Sequence, residues 1–186
     1  MTLLHFKNFS MLDPDHDELI GGRELLVEGD KIREVSDKPL KAPDASVIDC
    51  GGRTLMPGLI DSHVHVFLSE VFIRRLEDIP LTLMTARSAA LMKGMLDRGF
   101  TSVRDTGGAD WGIKSAVDQG LIAGPRLFIA GKAIGPTGGH SDGRRRTDPG
   151  TRCHCCNALA FTMVSRTASP KSGGSYARRC ARAAIR

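Results

Sequence analysis

The segment that most constrains the fold is PGLIDSHVH, residues 57–65, in which two histidines are separated by a single valine. The apolar lead-in at 58–60 predicts a buried strand. Residues i and i+2 of a strand share a face, so His63 and His65 are expected to lie together while Val64 packs on the other side. Neutral imidazole is the commonest metal ligand in proteins. The spacing therefore predicts half of a metal site at the end of this strand.

Asp61 is expected to share the face of His63 and His65. A carboxylate in this place can ligate a metal or hold a ligating histidine in position. Asp61 is therefore a candidate catalytic residue.

The residues after this strand alternate between helical and strand-like patterns. An amphipathic helix is predicted from four residues at helical spacing, namely Met84, Ser88, Leu91 and Met95. This helix should end at Arg98-Gly99, where glycine suits the C′ position. Strand-like runs follow at 101–105 and 127–130, with a short helix predicted around 113–117 between them. Such alternation builds a parallel sheet, so the predicted fold class is α/β.

Residues 1–56 have a different pattern, typical of an antiparallel β-subdomain. Two strand-like runs, 24–28 and 31–35, flank Gly29-Asp30, which predicts a hairpin. A further strand is predicted at 47–49. The chain is therefore expected to divide near residue 56.

Length and cysteine content limit the class of protein. A chain of 186 residues with 41% hydrophobic content can bury one good core. No apolar run approaches the roughly 20 residues of a membrane span, and the N-terminus lacks the pattern of a signal peptide. Five cysteines, an odd number, do not suggest a secreted disulfide framework. The expectation is a cytoplasmic protein without a membrane partner.

The net charge of +5 comes from the last 22 residues, 165–186, which contain six basic residues and no acidic one. The preceding 164 residues therefore hold 20 basic and 21 acidic side chains. One Trp and one Tyr offer no aromatic platform for stacking bases. A nucleic-acid partner is not expected.

Several of these motifs resemble the amidohydrolase superfamily, metal-dependent hydrolases built on a (β/α)8 barrel. PGLIDSHVH is similar to the first barrel strand of that superfamily. GRELLVEGDKIREV and VIDCGGRTLMPG are similar to the β-strands that precede the barrel. GFTSVRDTGG and GPRLFIAGKAIGPTGGHSD resemble the second and third barrel strands of the branch with imidazolonepropionase-like and prolidase-like members.

The resemblance implies an N-terminal β-strand subdomain at 1–56, followed at 57–164 by the first three βα units of an incomplete (β/α)8 TIM barrel. Because such a barrel typically needs about 250 residues, the chain is expected to be an N-terminal fragment.

The resemblance also implies a reaction, which is hydrolysis of C–N bonds in cyclic amides or Xaa-Pro-type dipeptides by metal-activated water. His63 and His65 would bind the more buried of one or two divalent ions, with zinc expected and manganese, iron or cobalt as alternatives. The other family ligands, a lysine, two histidines and an aspartate, belong to later barrel strands. The chain alone is therefore expected to be inactive. The partner would be a small-molecule substrate, and a homo-oligomer is left open for the full-length relative.

Two further candidate sites follow strands two and three. Arg104 and Asp105 stand at the carboxyl end of a strand, where (β/α)8 enzymes place their chemistry, and are candidate catalytic residues. A structural ion pair or a helix-capping role for Asp105 is the alternative. His140 lies in a glycine-rich loop after strand three, and such loops often carry function. The resemblance implies that it stands at the mouth of the active site and contacts substrate, with a solvated loop histidine as the alternative.

The run Cys153-His154-Cys155-Cys156 resembles a metal knuckle, but four consecutive residues cannot easily surround one tetrahedral ion. A loop feature is the preferred interpretation of the cysteine cluster.

The tail at 165–186 lacks Leu, Val, Phe and Met. A shifted reading frame is expected there, because reading GC-rich codons two nucleotides later gives an amphipathic helix. A disordered basic extension is the alternative.

One functional alternative to the hydrolase remains. The chain could be a small metal-binding or interaction module without catalysis, using His63, His65 and the cysteine cluster.

Overall fold

The computed structural model describes residues 2–71, 73–76, 79–135 and 164–165. The chain divides into two compact units, Met1–Pro57 and Gly58–Arg186. The described part is mixed α/β, in agreement with the predicted class. Within it, no helix has both the length and the apolar character needed to cross a membrane.

The first unit is a four-stranded sheet in the order β3-β2-β1-β4. Its strands are β1 (Leu3–Met11), β2 (Ile20–Glu28), β3 (Lys31–Ser36) and β4 (Ser46–Leu55). The predicted β2–β3 hairpin is confirmed, with Gly29 at φ 62° in its turn. The expectation of a purely antiparallel group is wrong, because β4 pairs parallel with β1. The long β3–β4 connection carries the chain from one edge of the sheet to the other, which makes that parallel pairing possible.

A polar cluster centred on Glu24 ties β1 and β2 to the segment after β3. His5 is 2% exposed, and its Nε2 lies 2.9 Å from Glu24 Oε2. The N–H of Leu40 donates to the same oxygen at 2.7 Å, and Lys7 Nζ lies 3.5 Å from the other oxygen. The Leu40 N–H, together with His5 and Lys7, lowers the pKa of the Glu24 carboxyl from its ordinary value.

The second unit contains a parallel three-stranded sheet in the order β5-β6-β7 and a small parallel pair, β8-β9. Its elements are β5 (Leu59–Val64), α1 (Ile73–Leu76), α2 (Leu81–Asp97), β6 (Phe100–Asp105), α3 (Trp111–Asp118), β7 (Arg126–Ile129), β8 (Ile134–Gly135) and β9 (Val164–Ser165). The predicted parallel pairing of β5 with β6 is found. Because no helix is described after β7, the third βα unit and the barrel itself stay predictions.

Helix α2 packs one face into the core. Met84, Ser88 and Met92 are each 0% exposed, at a spacing of four residues. The predicted stripe is therefore shifted, since Leu91 and Met95 are only partly buried. The helix ends as predicted before Gly99, whose φ of 89° is easily adopted by glycine. The buried residues form one cluster, made of Val64, Val66, Phe67, Leu76, Met84, Met92, Val103, Ala109, Ile113 and Leu127.

The expectation of a buried lead-in strand is wrong. Leu59 is 39% exposed and Ile60 is 72% exposed. The reason is that β5 lies at the edge of its sheet and pairs only with β6 among the described residues. Burial begins at Val64, where the strand meets the core cluster.

A glycine loop after β6 packs tightly against the segment after β7. The N–H of Gly108 donates to the Gly131 carbonyl at 2.9 Å, and the N–H of Ala130 donates to the Asp105 carbonyl at 3.0 Å. A Cβ added to Gly107 would lie 2.8 Å from Ala133 Cβ and 3.2 Å from its Cα. Position 107 therefore leaves no room for a side chain.

Removing the charge of the Glu24 carboxylate tests the polar cluster of the first unit. Glu24→Gln should destabilise the protein at neutral pH, and the difference from wild type should shrink in acid. A lowered folded-state pKa contributes stability that is complete above the unfolded value, near 4.5, and is lost as pH falls through the folded value. Urea unfolding across this range measures the effect. Glu34→Gln, on exposed β3, is the control, and a pH-independent difference at Glu24 would contradict the assignment.

Gly107→Ala should lower the free energy of unfolding by about 1–3 kcal/mol, because the new methyl group overlaps Ala133. Gly94→Ala is the matched control. Its Cβ would meet only the flexible end of Arg98, at 3.3 Å, and alanine favours the α2 helix by about 0.5–1 kcal/mol. Urea unfolding of both variants measures the contrast. Equal stability of the two variants would show that the 107–133 contact is not tight.

Candidate functional site

The two imidazoles of the HVH motif lie side by side at the end of β5. The ring centroids of His63 and His65 are 5.4 Å apart, and the rings are nearly perpendicular at 83°. Val64 between them is 9% exposed and belongs to the core cluster. His63 is exposed and His65 is half-buried. The arrangement presents two nitrogen ligands on one side of the strand end.

The orientation of His65 is set by the loop after β6. Its Nδ1 lies 2.7 Å from the carbonyl oxygen of Gly107. A carbonyl only accepts, so Nδ1 carries the proton and donates. In a neutral ring the lone pair then belongs to Nε2, which is the nitrogen suited to bind a metal. Sequence reasoning missed Gly107, although the glycine pair following a strand was visible in the RDTGG motif.

The expected placement of Asp61 on the face of the histidines stays a prediction. The pairing of β5 with β6 shifts register between Asp61 and Val64, and Asp61 is the partner of Val103 on the buried side of β6. Alternation cannot be counted through such an irregularity. The Asp61 carboxylate Oδ1 accepts the backbone N–H of His63 at 3.0 Å. It therefore supports the backbone of one candidate ligand, and its catalytic role stays a prediction.

Asp105 is fully buried at the end of β6, with 0% exposure. Its Oδ1 accepts the N–H groups of Gly107 and Ala109, at 2.9 Å and 3.1 Å. Its Oδ2 accepts the N–H of Val66 at 2.8 Å. The carboxylate thus joins the loop after β6 to the residue that follows His65. This geometry is that of a structural carboxylate, and the catalytic role assigned from sequence stays a prediction.

Arg104 lies on the opposite face of β6 from Asp105, because neighbouring strand residues point to opposite sides. It is exposed and stands beside Phe128 of β7, which is 46% exposed. Arg104 and Asp105 therefore do not form an ion pair with each other. Helix capping in this region belongs to Asp110, whose Oδ1 accepts the N–H of Ile113 at 2.9 Å.

Other predicted features lie outside the described residues. These are His140, the cluster at 153–156, and the tail at 165–186 except for Ser165, which pairs in β9. Within the described ranges, no group of three or more His, Cys, Asp or Glu side chains is placed to hold a metal. The described donor set is therefore the pair His63 and His65.

Comparison with known proteins gives a family whose match includes the HVH strand. The model of the amidohydrolase family matches residues 54–166. The ochratoxinase of Aspergillus niger is 33% identical over 91 residues, which are 47% of this chain and 19% of that enzyme. The dihydroorotase of Aquifex aeolicus is 41% identical over 66 residues, which are 36% of this chain and 15% of that enzyme.

Solved structures extend the similarity over the chain. A crystal structure of an amidohydrolase has a TM-score of 0.81 and 46% identity, covering 99% of this chain and 44% of that one. A prolidase complexed with N-methylphosphonate-L-proline has a TM-score of 0.82 and 38% identity, with the same two coverages. The chain thus spans less than half of these proteins and about a fifth of the ochratoxinase. Since the family match includes more than half of its 186 residues, the chain belongs to the amidohydrolase family.

Proposed function

We propose that this chain supplies the first two histidine ligands, His63 and His65, of a divalent metal centre in an enzyme that hydrolyses C–N bonds. The observation that carries the proposal is the pair of imidazoles 5.4 Å apart, one of them held through Nδ1 by the Gly107 carbonyl. Imidazole nitrogen suits zinc first, with manganese, iron or cobalt as alternatives, and one or two ions fit the proposal.

The preferred substrates are Xaa-Pro-type dipeptides, with cyclic amides second. The support is the similarity to a prolidase crystallised with a proline phosphonate, at 38% identity, and to a dihydroorotase at 41%. The substrate is a small molecule in either case. His140, and Arg104 on the exposed face of β6, are proposed to contact it.

When bound, a divalent metal would lower the pKa of water and polarise the scissile carbonyl. The chain's own residues would hold the two histidine ligands in position. His65 is oriented by Gly107, and the His63 backbone is held by Asp61 at 3.0 Å. Val64 anchors both histidines to the core between them. The backbone of His63 and the ring of His65 are therefore held in place, which reduces the entropy lost on binding a metal.

The domain plan is proposed on the same basis, with a β-subdomain at 1–56, the beginning of a (β/α)8 barrel at 57–164 and an aberrant tail at 165–186. We further propose that the 186-residue chain is not competent for turnover, because two histidines supply only part of a catalytic ligand set. The alternative is a metal-binding or interaction module without catalysis. It is favoured if metal binds the cysteine cluster instead.

Zinc added to the 186-residue protein should perturb the side-chain ¹⁵N signals of His63 and His65 before those of His5 and His16. The reason is that, among the described histidines, His63 and His65 have neighbouring rings. Histidine-selective ¹⁵N labelling and NMR measure the response. His63→Gln should abolish it at His65, whereas His16→Gln, in a surface loop, should leave it unchanged.

A first response at His154 would favour the non-catalytic module. Assays with an Xaa-Pro dipeptide and a cyclic amide, with zinc or manganese added, should show no turnover. Turnover that His63→Gln abolishes would confirm the metal ligand and contradict the proposed incompleteness.

A further inference from the structure

We propose that Asp105 is a positioning residue for the metal ligand His65, acting through the backbone of residue Gly107 and through the Val66 amide. The inference rests on the proposed function, because it assigns Asp105 a task toward the proposed metal ligand His65. It differs from the catalytic role expected from sequence. Its basis is that the buried carboxylate holds Gly107, whose carbonyl bonds the imidazole, and also holds the amide directly after His65.

The first connection runs through the loop after β6. Asp105 Oδ1 accepts the N–H of Gly107 at 2.9 Å, and the carbonyl of Gly107 accepts Nδ1–H of His65 at 2.7 Å. The N–H of Ala109 donates to the same Oδ1 at 3.1 Å. Two anchored amides fix the course of this short loop. The Gly107 carbonyl is therefore aimed at the ring by a loop that Asp105 holds.

The second connection runs through the chain after β5. Asp105 Oδ2 accepts the N–H of Val66 at 2.8 Å, and that amide belongs to the peptide that joins His65 to Val66. The Asp105 carboxylate thus holds the backbone directly after His65. It also holds Gly107, whose carbonyl accepts the hydrogen bond from the His65 ring. Displacement of either oxygen would turn the imidazole relative to its acceptor.

The surroundings make this arrangement rigid. Asp105 is 0% exposed, and Val66 and Ala109 are 0% exposed. Water cannot readily replace the carboxylate as acceptor for these amides. Gly107 cannot move toward the segment after β7, because Ala133 occupies that side. The Nδ1–H tautomer of His65 should therefore be imposed on the ring even without metal.

Asp105→Asn provides the test, since it keeps the shape and removes one acceptor. An amide has one accepting oxygen, and its NH₂ group cannot accept an N–H. At least one of the three bonds is therefore lost. In the metal-free 186-residue protein, the ¹⁵N pattern of His65 should be that of the Nδ1–H tautomer. Asp105→Asn should shift it toward Nε2–H.

Asp110→Ala is the matched control, because it also removes a carboxylate that accepts a backbone N–H, here that of Ile113 rather than of Gly107 or Val66. It should leave the His65 tautomer unchanged. The affinity of zinc for the pair should fall by about 10- to 100-fold in Asp105→Asn and stay constant in the control. A folded Asp105→Asn protein that keeps the Nδ1–H tautomer would overturn the inference.

Two arms separate failure of this inference from failure of the proposed function. The tautomer is read without metal, so absence of a zinc response in wild type would contradict the metal centre alone. If Asp105→Asn does not fold, hydrogen exchange in wild type decides. The amides of Val66, Gly107 and Ala109 should be as protected as those of the β6 core. Rapid exchange of any one of them would overturn the positioning role.

Discussion

A single buried carboxylate, Asp105, organises the strand ends on which the candidate site depends. A polar group with no exposure is costly unless its hydrogen bonds are satisfied. Asp105 accepts N–H groups from Val66, Gly107 and Ala109, and its own carbonyl accepts the N–H of Ala130. The segments after β5, β6 and β7 are thereby joined at one residue. The geometry at this edge follows from satisfying that one group.

Next to each candidate ligand, a carboxylate accepts a hydrogen bond from a backbone amide. Asp61 accepts the N–H of His63 itself, and Asp105 accepts the N–H of the residue after His65. The two acids therefore act on the backbone, while the imidazole nitrogens are the groups proposed to bind the metal. Val64 between them packs into the core, so both rings are carried by a rigid strand end.

The relatives share one family but are named for different substrates. Ochratoxinase, dihydroorotase and prolidase all share similarity with this chain, yet their names denote different substrates. The sequence similarity covers at most about half of this chain in these relatives, and the structural similarity covers 99% of it. Function in such folds resides in the site and its loops rather than in the scaffold.

The sequence by itself determined the β2–β3 hairpin, the end of α2 before Gly99, and the neighbouring imidazoles of His63 and His65. These are local properties, fixed by alternation, helical spacing and turn chemistry. Tertiary structure alone decided three other features. Strand β4 pairs parallel with β1, Ile60 is exposed at a sheet edge, and the Asp105 carboxylate turns inward to backbone amides. Each depends on which distant segment lies alongside, and residues far apart in sequence meet only when the sheet has formed.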